Sequence, residues 1–243
     1  MATAQFNTAG KTPQELGKEL VAELGKGPWG ANKDKANALI DAGASLSETD
    51  AEGRTPLMLA ILADAKDVAL KIVDKDTNLD AQDTKRKNTA LLLVLAPVSP
   101  SDEMDSDSNI EIANALLKKG ASVAPVNTSG ETALIMVGKT GNFRLTQEVL
   151  ARKPDLDARD WTKTSALEYA QRGPFGPGKA AELIEYAMQQ RDEAAKVARE
   201  LQVQAEMRTE MENITAAVKQ GTRGPMKAPL VASFGPRPKT TNS

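Results

Sequence analysis

The run Asp105-Ser106-Asp107-Ser108-Asn109 sets carboxylate, hydroxyl and amide oxygens in the order that opens a calcium-binding loop. Such a loop needs glycine at its sixth position for a sharp turn and glutamate at its twelfth for a bidentate oxygen pair. Ile110 and Leu116 stand at those two places. The segment therefore reads as a solvated acidic loop, and no metal is expected. Covalent and acid–base chemistry is no better supplied. The 243 residues contain no cysteine and no histidine. That removes thiolate nucleophiles, disulfides, zinc sites of the Cys/His type and the commonest general base. There is no P-loop, no triad can be built, and none of the 33 acidic residues is singled out by spacing. We read the chain as non-enzymatic, with no catalytic residue and no cofactor.

Binding chemistry is what remains. Trp161 is the second residue of a turn, where a side chain projects outward, and an exposed Trp is a frequent interface anchor. Packing back on the neighbouring turn is the alternative. Trp29 and Phe175, each in a Gly/Pro segment, are candidates of the same kind. Lys85-Arg86-Lys87 forms a small basic fingertip. Arg223, Lys227, Arg237 and Lys239 give the C-terminal segment a weak, salt-sensitive attraction for an acidic partner. A nucleic-acid reading needs a wide basic face with stacking platforms, and a net charge of −2 does not favour it.

The element that positions these residues is a turn that recurs. Asp50-Ala51-Glu52-Gly53-Arg54-Thr55-Pro56-Leu57 reads D-x-x-G-x-T-P-L, and Asn127 to Leu134 reads N-x-x-G-x-T-A-L. Weaker copies run from Asp83 to Leu91 and from Asp160 to Leu167. The anchor residues Thr55, Thr89, Thr132 and Ser165 are separated by 34, 43 and 33 residues. A period near 33 marks a stacked repeat, which makes an extended surface rather than a pocket. In the copy at 50–82, Asp50 and Gly53 form the turn, and Thr55 caps a helix. Pro56 starts that helix, where its missing N–H costs nothing. A second helix follows, as over Lys66 to Asp74 with Val68, Ile72 and Val73 on one face. Thr12-Pro13 opens an equivalent first unit, so five units are expected. Aromatics are only 3%, so the core must be aliphatic.

These pieces resemble the ankyrin repeat family. The turns at Asp50–Leu57 and Asn127–Leu134 carry the resemblance. The exits Asp41-Ala42-Gly43-Ala44-Ser45-Leu46 and Lys119-Gly120-Ala121-Ser122-Val123 match its G-A-D-V segment. It covers about residues 12–190. The other two turns lack the glycine, with Arg86 and Lys163 near its place. The family's T-P-L-H histidine is absent, and Met58, Leu92, Ile135 and Glu168 occupy its positions. The resemblance thus implies the helical stack but not the histidine-based lattice between turns. It implies an all-α solenoid that binds another protein on a concave surface of turn tips and first helices. The contact residues implied on the second and third units are Glu52, Arg54, Leu62, Lys85, Arg86 and Asn88. On the fourth and fifth they are Thr128, Glu131, Lys139, Trp161, Thr162 and Arg172. Docking there would mask or position a site on the partner, as an inhibitor, antagonist or adaptor does.

Three insertions interrupt the units: Gly25–Asn32, Pro97–Ser108 and Gly173–Gly178. All fall between the two helices of odd-numbered units, and we expect them on one side of the stack. Residues 179–219 hold no Gly or Pro and favour one long helix. Its stripe of Val203, Met207, Met211, Ile214 and Val218 offers a rival role, assembly by self-association through 197–219. Recruitment through the tail is another. The expected domains are the array over 12–190, a helical extension over 191–219 and a flexible basic tail over 220–243. No run of about 18 apolar residues predicts membrane insertion. Met1 to Lys11 lacks the apolar core of a signal peptide. A cytoplasmic location is expected, and Ala2-Thr3-Ala4 also fits the remnant of an export cleavage site.

Overall fold

Five hydroxyl residues start five helices. In the computed structural model, which describes residues 6–75, 78–96, 107–173 and 178–219, Thr12, Thr55, Thr89, Thr132 and Ser165 are all N-caps. Each hydroxyl accepts the N–H three residues on, which satisfies one of the orphan donors of a helix start. Ala2-Thr3-Ala4, the acidic loop over 97–106, Phe175 and the tail over 220–243 lie outside the described residues.

The described residues form ten helices and no strand. They are α1 (Pro13–Leu24), α2 (Lys33–Asp41), α3 (Pro56–Leu62), α4 (Lys66–Lys75) and α5 (Ala90–Leu95). α6 (Asp107–Lys118), α7 (Ala133–Thr140), α8 (Phe143–Leu150), α9 (Ala166–Gln171) and α10 (Lys179–Lys219) complete the set. The protein is all-α. Helices pack in consecutive pairs, α1 on α2, α3 on α4, α5 on α6 and α7 on α8. The capped helices α1, α3, α5, α7 and α9 form one row, each touching the next, and α2, α4, α6 and α8 form a second row.

The chain divides into two compact units, Met1–Gln190 and Arg191–Ser243. The first holds the core. Its largest fully buried side chains are Leu, Ile and Met, among them Leu20, Leu39, Leu57, Ile72, Leu91, Leu116 and Leu134, and among the described residues no aromatic is fully buried. Small residues let the first row close up. A Cβ on Gly138 of α7 would lie 2.5 Å from the Ala166 carbonyl oxygen at the start of α9. The second unit is helix over 191–219, and its residues are exposed except for the half-buried Ala217.

The turns are built alike. Asp50 Oδ1 accepts the N–H groups of Glu52 and Arg54, both at 2.9 Å. Asn127 Oδ1 does the same for Ser129 and Glu131, and Asp160 Oδ1 for Thr162 and Thr164. Gly53 and Gly130 take φ of 73° and 76°, the left-handed region that favours glycine. Without glycine, Lys163 takes φ 65° and Lys87 takes φ 57°. The sequence places Arg86 nearest the missing glycine. The third turn carries one extra residue, so the left-handed place passes to Lys87. A further turn precedes α1: Asn7-Thr8-Ala9-Gly10-Lys11-Thr12-Pro13 has the same residues at the same spacing, with Gly10 at φ 77°.

Successive turns are laced through their backbones. Thr84 N–H donates to Glu52 O at 2.8 Å, Thr128 N–H to Arg86 O at 2.8 Å and Trp161 N–H to Ser129 O at 2.9 Å. These bonds join each turn to the next. Met58, Leu92 and Ile135, each three residues after a capping threonine, are buried in the core, while Glu168 closes a capping box with Ser165.

Candidate functional site

Lacing the turns fixes where the candidate contact residues can point. The twelve residues separate into three groups by what their side chains touch.

The first group is an ion-pair chain over the second and third turns. Arg54 donates from Nε to Asp50 Oδ2 at 2.7 Å and lies 3.3 Å from Glu52 Oε2. Lys85 Nζ lies 3.5 Å from Glu52 Oε1. Glu52, Arg54 and Lys85 are therefore held together. Burial raises the Asp50 carboxyl, but bonds from Arg54 and from the Arg54 and Glu52 N–H groups outweigh it and lower its pKa.

The second group lies inside a polar network that runs from the third turn to the fifth. Asn88 is buried, and its Oδ1 accepts Asn127 Nδ2 at 3.1 Å. The same amide nitrogen donates to Glu131 Oε2 at 2.7 Å. Glu131 Oε1 pairs with Lys139, whose Nζ lies 3.7 Å from Asp160 Oδ2 and 4.5 Å above the Tyr169 ring. Tyr169 Oη donates to Asp160 Oδ2 at 2.6 Å, and Thr162 Oγ1 donates to Asp160 Oδ1. Burial raises Asp160, yet bonds from Thr162, Tyr169 and the Thr164 N–H prevail and carry its pKa down to about 2. Burial lowers Lys139, but Glu131, Tyr169 and Asp160 together raise it above its ordinary value. Asp160 thus stays charged and Lys139 stays protonated near neutral pH. The network holds turns in register. Asn88, Glu131, Lys139 and Thr162 are spent on it.

The third group faces outward. Trp161 is 75% exposed, although its own N–H is pinned to the preceding turn. It does not fold back on that turn. Arg86, Thr128 and Arg172 are exposed, and Leu62 is 44% exposed at the end of α3. These five, with the ion-pair chain, are what the surface offers. The sequence could not have shown the network, because Asn88, Asn127, Glu131, Lys139, Asp160 and Tyr169 meet only once the turns stack.

A shallow cleft of about 680 Å³ lies between the exits of the third and fourth units, lined by Val123, Val126, Arg152, Pro154 and Ala158 among others. Arg152 is engaged there by the Leu117 carbonyl. Among the described residues there is no cluster of three carboxylates that could hold a cation, and no helix long and apolar enough to cross a membrane. No protein-family model matches the chain.

Proposed function

We propose that this chain is an ankyrin-type repeat protein that docks a partner protein on its turn tips, as a steric inhibitor, antagonist or adaptor. The observation that carries this reading is Trp161: a large apolar side chain three-quarters in solvent, on a turn whose backbone is fixed on both sides. An anchor that is ordered before it docks loses little freedom on binding. The helix rows, the threonine caps and the backbone lacing support the repeat assignment. Arg86, Thr128, Leu62 and Arg172 extend the contact. Glu52, Arg54 and Lys85 set charge complementarity and register.

The test is a pull-down from the native source, with wild type beside the Trp161→Ala/Arg86→Ala double variant. One protein captured by wild type and lost by the variant supports the surface. Trp161→Ala should weaken the purified complex by about 2 kcal/mol or more. Equal capture by both sinks it.

A second reading rests on α10. Val197, Leu201, Val203, Met207, Met211, Ile214 and Val218 are all exposed, from 45% to 75%. A helix presenting this much apolar surface suits self-association. A sedimentation mass of one chain at high concentration would end that reading; a dimer lost on deletion of 197–219 would support it.

A further inference from the structure

We propose that the loop between α1 and α2 is a second docking element, in which Trp29 enters an apolar pocket on a partner protein. Trp29 is 100% exposed, which leaves on the order of 150–250 Å² of aromatic surface in water. The loop that carries it is tied down. Glu23, with a side chain only 3% exposed, sits at the end of α1 beneath the loop. Its Oε1 accepts the Asn32 N–H at 3.0 Å, and its Oε2 accepts Lys26 at 2.8 Å and Lys35 at 3.1 Å. The Gly27 carbonyl accepts the N–H groups of Gly30 and Ala31. A Cβ on Gly30 would lie 3.0 Å from the Lys26 carbonyl oxygen, so the apex is closed tightly. Pro28 fixes one more backbone angle. A buried carboxylate and two glycines thus hold an indole out in solvent.

Three other ligands fit less well. Gly25-Lys26-Gly27-Pro28-Trp29-Gly30 spells G-x-G-x-x-G, but it follows a helix rather than a strand. The N–H groups of Gly30, Ala31 and Asn32 are used inside the loop and do not converge on an outside anion. An anionic membrane needs a cluster of surplus cations, whereas Lys26 and Lys35 are both held by Glu23 and Lys33 stands next to Asp34. A single indole is a marginal membrane anchor. A second copy would bring the same lysines against Arg152 and Lys153 of the apolar cleft. What fits is a protein pocket of indole size, with an acceptor for the Trp29 Nε1–H. A rim carboxylate would meet the outward N–H groups of Lys26, whose side chain is 52% exposed. α1 carries the chain about 18 Å from its own turn, so this element is separate from the turn tips and does not rest on them.

The test uses the full chain with Trp29 replaced by photoreactive benzoylphenylalanine. The same residue at exposed Lys18 is the control, and both are irradiated in extract of the native source. The expected result is a cross-link from position 29 alone, to residues lining an apolar concavity on one protein. That protein, once purified, should bind the Trp29→Ala variant about 30-fold more weakly or worse, with Trp29→Phe in between and thermal stability unchanged. Four outcomes overturn the proposal: equal cross-linking from position 18, a cross-link to a second copy, Trp29-dependent binding to phosphatidylserine/phosphatidylcholine vesicles, or wild-type affinity for Trp29→Ala. Affinity lost with Trp29→Ala but kept with Trp161→Ala would sustain this element while removing the turn-tip surface.

Discussion

At the scale of single residues, the turns decide stability through one backbone angle. Gly53 and Gly130 occupy the left-handed region, and a Cβ there would also meet a neighbouring turn. On Gly53 it would lie 2.6 Å from Thr84 Cγ2, and on Gly130 it would lie 3.0 Å from Trp161 N. Gly53→Ala and Gly130→Ala should each cost about 2 kcal/mol or more, from the angle and the contact together. Lys163 and Lys87 already bear the angle's cost. Lys163→Gly and Lys87→Gly should therefore be neutral or stabilising, by up to about 1 kcal/mol. Urea midpoints for the four variants check both signs. Glu23 and Asp160 control the acid limit. Burial raises both, but the bonds each accepts hold both at about 2, below ordinary values of 4.5 and 3.8. The unfolded chain therefore takes up protons that the folded chain refuses. Their stabilisation is complete above pH about 5 and is lost as pH falls towards 2, at roughly 3 kcal/mol for each. Unfolding free energies measured from pH 7 to 2.5 should fall most steeply in that window. Glu23→Gln and Asp160→Asn should be less stable at pH 7 and show a shallower acid slope.

At the scale of elements, capping was legible in the sequence and lacing was not. Thr55-Pro56 announces a helix start because both residues act within four positions, and α3 begins there. The uninterrupted helix formers after Lys179 likewise give α10 its full length. Asn7 to Pro13 was equally readable, because its turn lies 43 residues before the next, the same gap that separates Thr89 from Thr132. Lys87 escaped because an extra residue in its turn shifts the register. The polar network escaped for a deeper reason: its bonded partners lie up to 39 residues apart, and only the stacking of turns brings Asn127 to Asn88. Residues 191–219 take no part in the buried core. Deleting 197–219 should leave the thermal midpoint of the first unit within a degree or two of wild type. A large fall would mean that this segment supports the core after all.

At the scale of the whole molecule, the first unit is a row of pairs in which each helix touches only its neighbours in the chain of contacts. Its core is aliphatic from end to end, and both tryptophans, at positions 29 and 161, stand outside it. That arrangement has an optical consequence. An indole already surrounded by water has little further to go when the chain unfolds. Tryptophan emission should sit near the red limit in the native protein and hardly move through a urea transition that circular dichroism reports in full. A native emission maximum well to the blue would contradict the exposure of both rings. The protein is thus nearly silent about its own folding, and any blue shift in its fluorescence reports that one of the two indoles has been covered by something else.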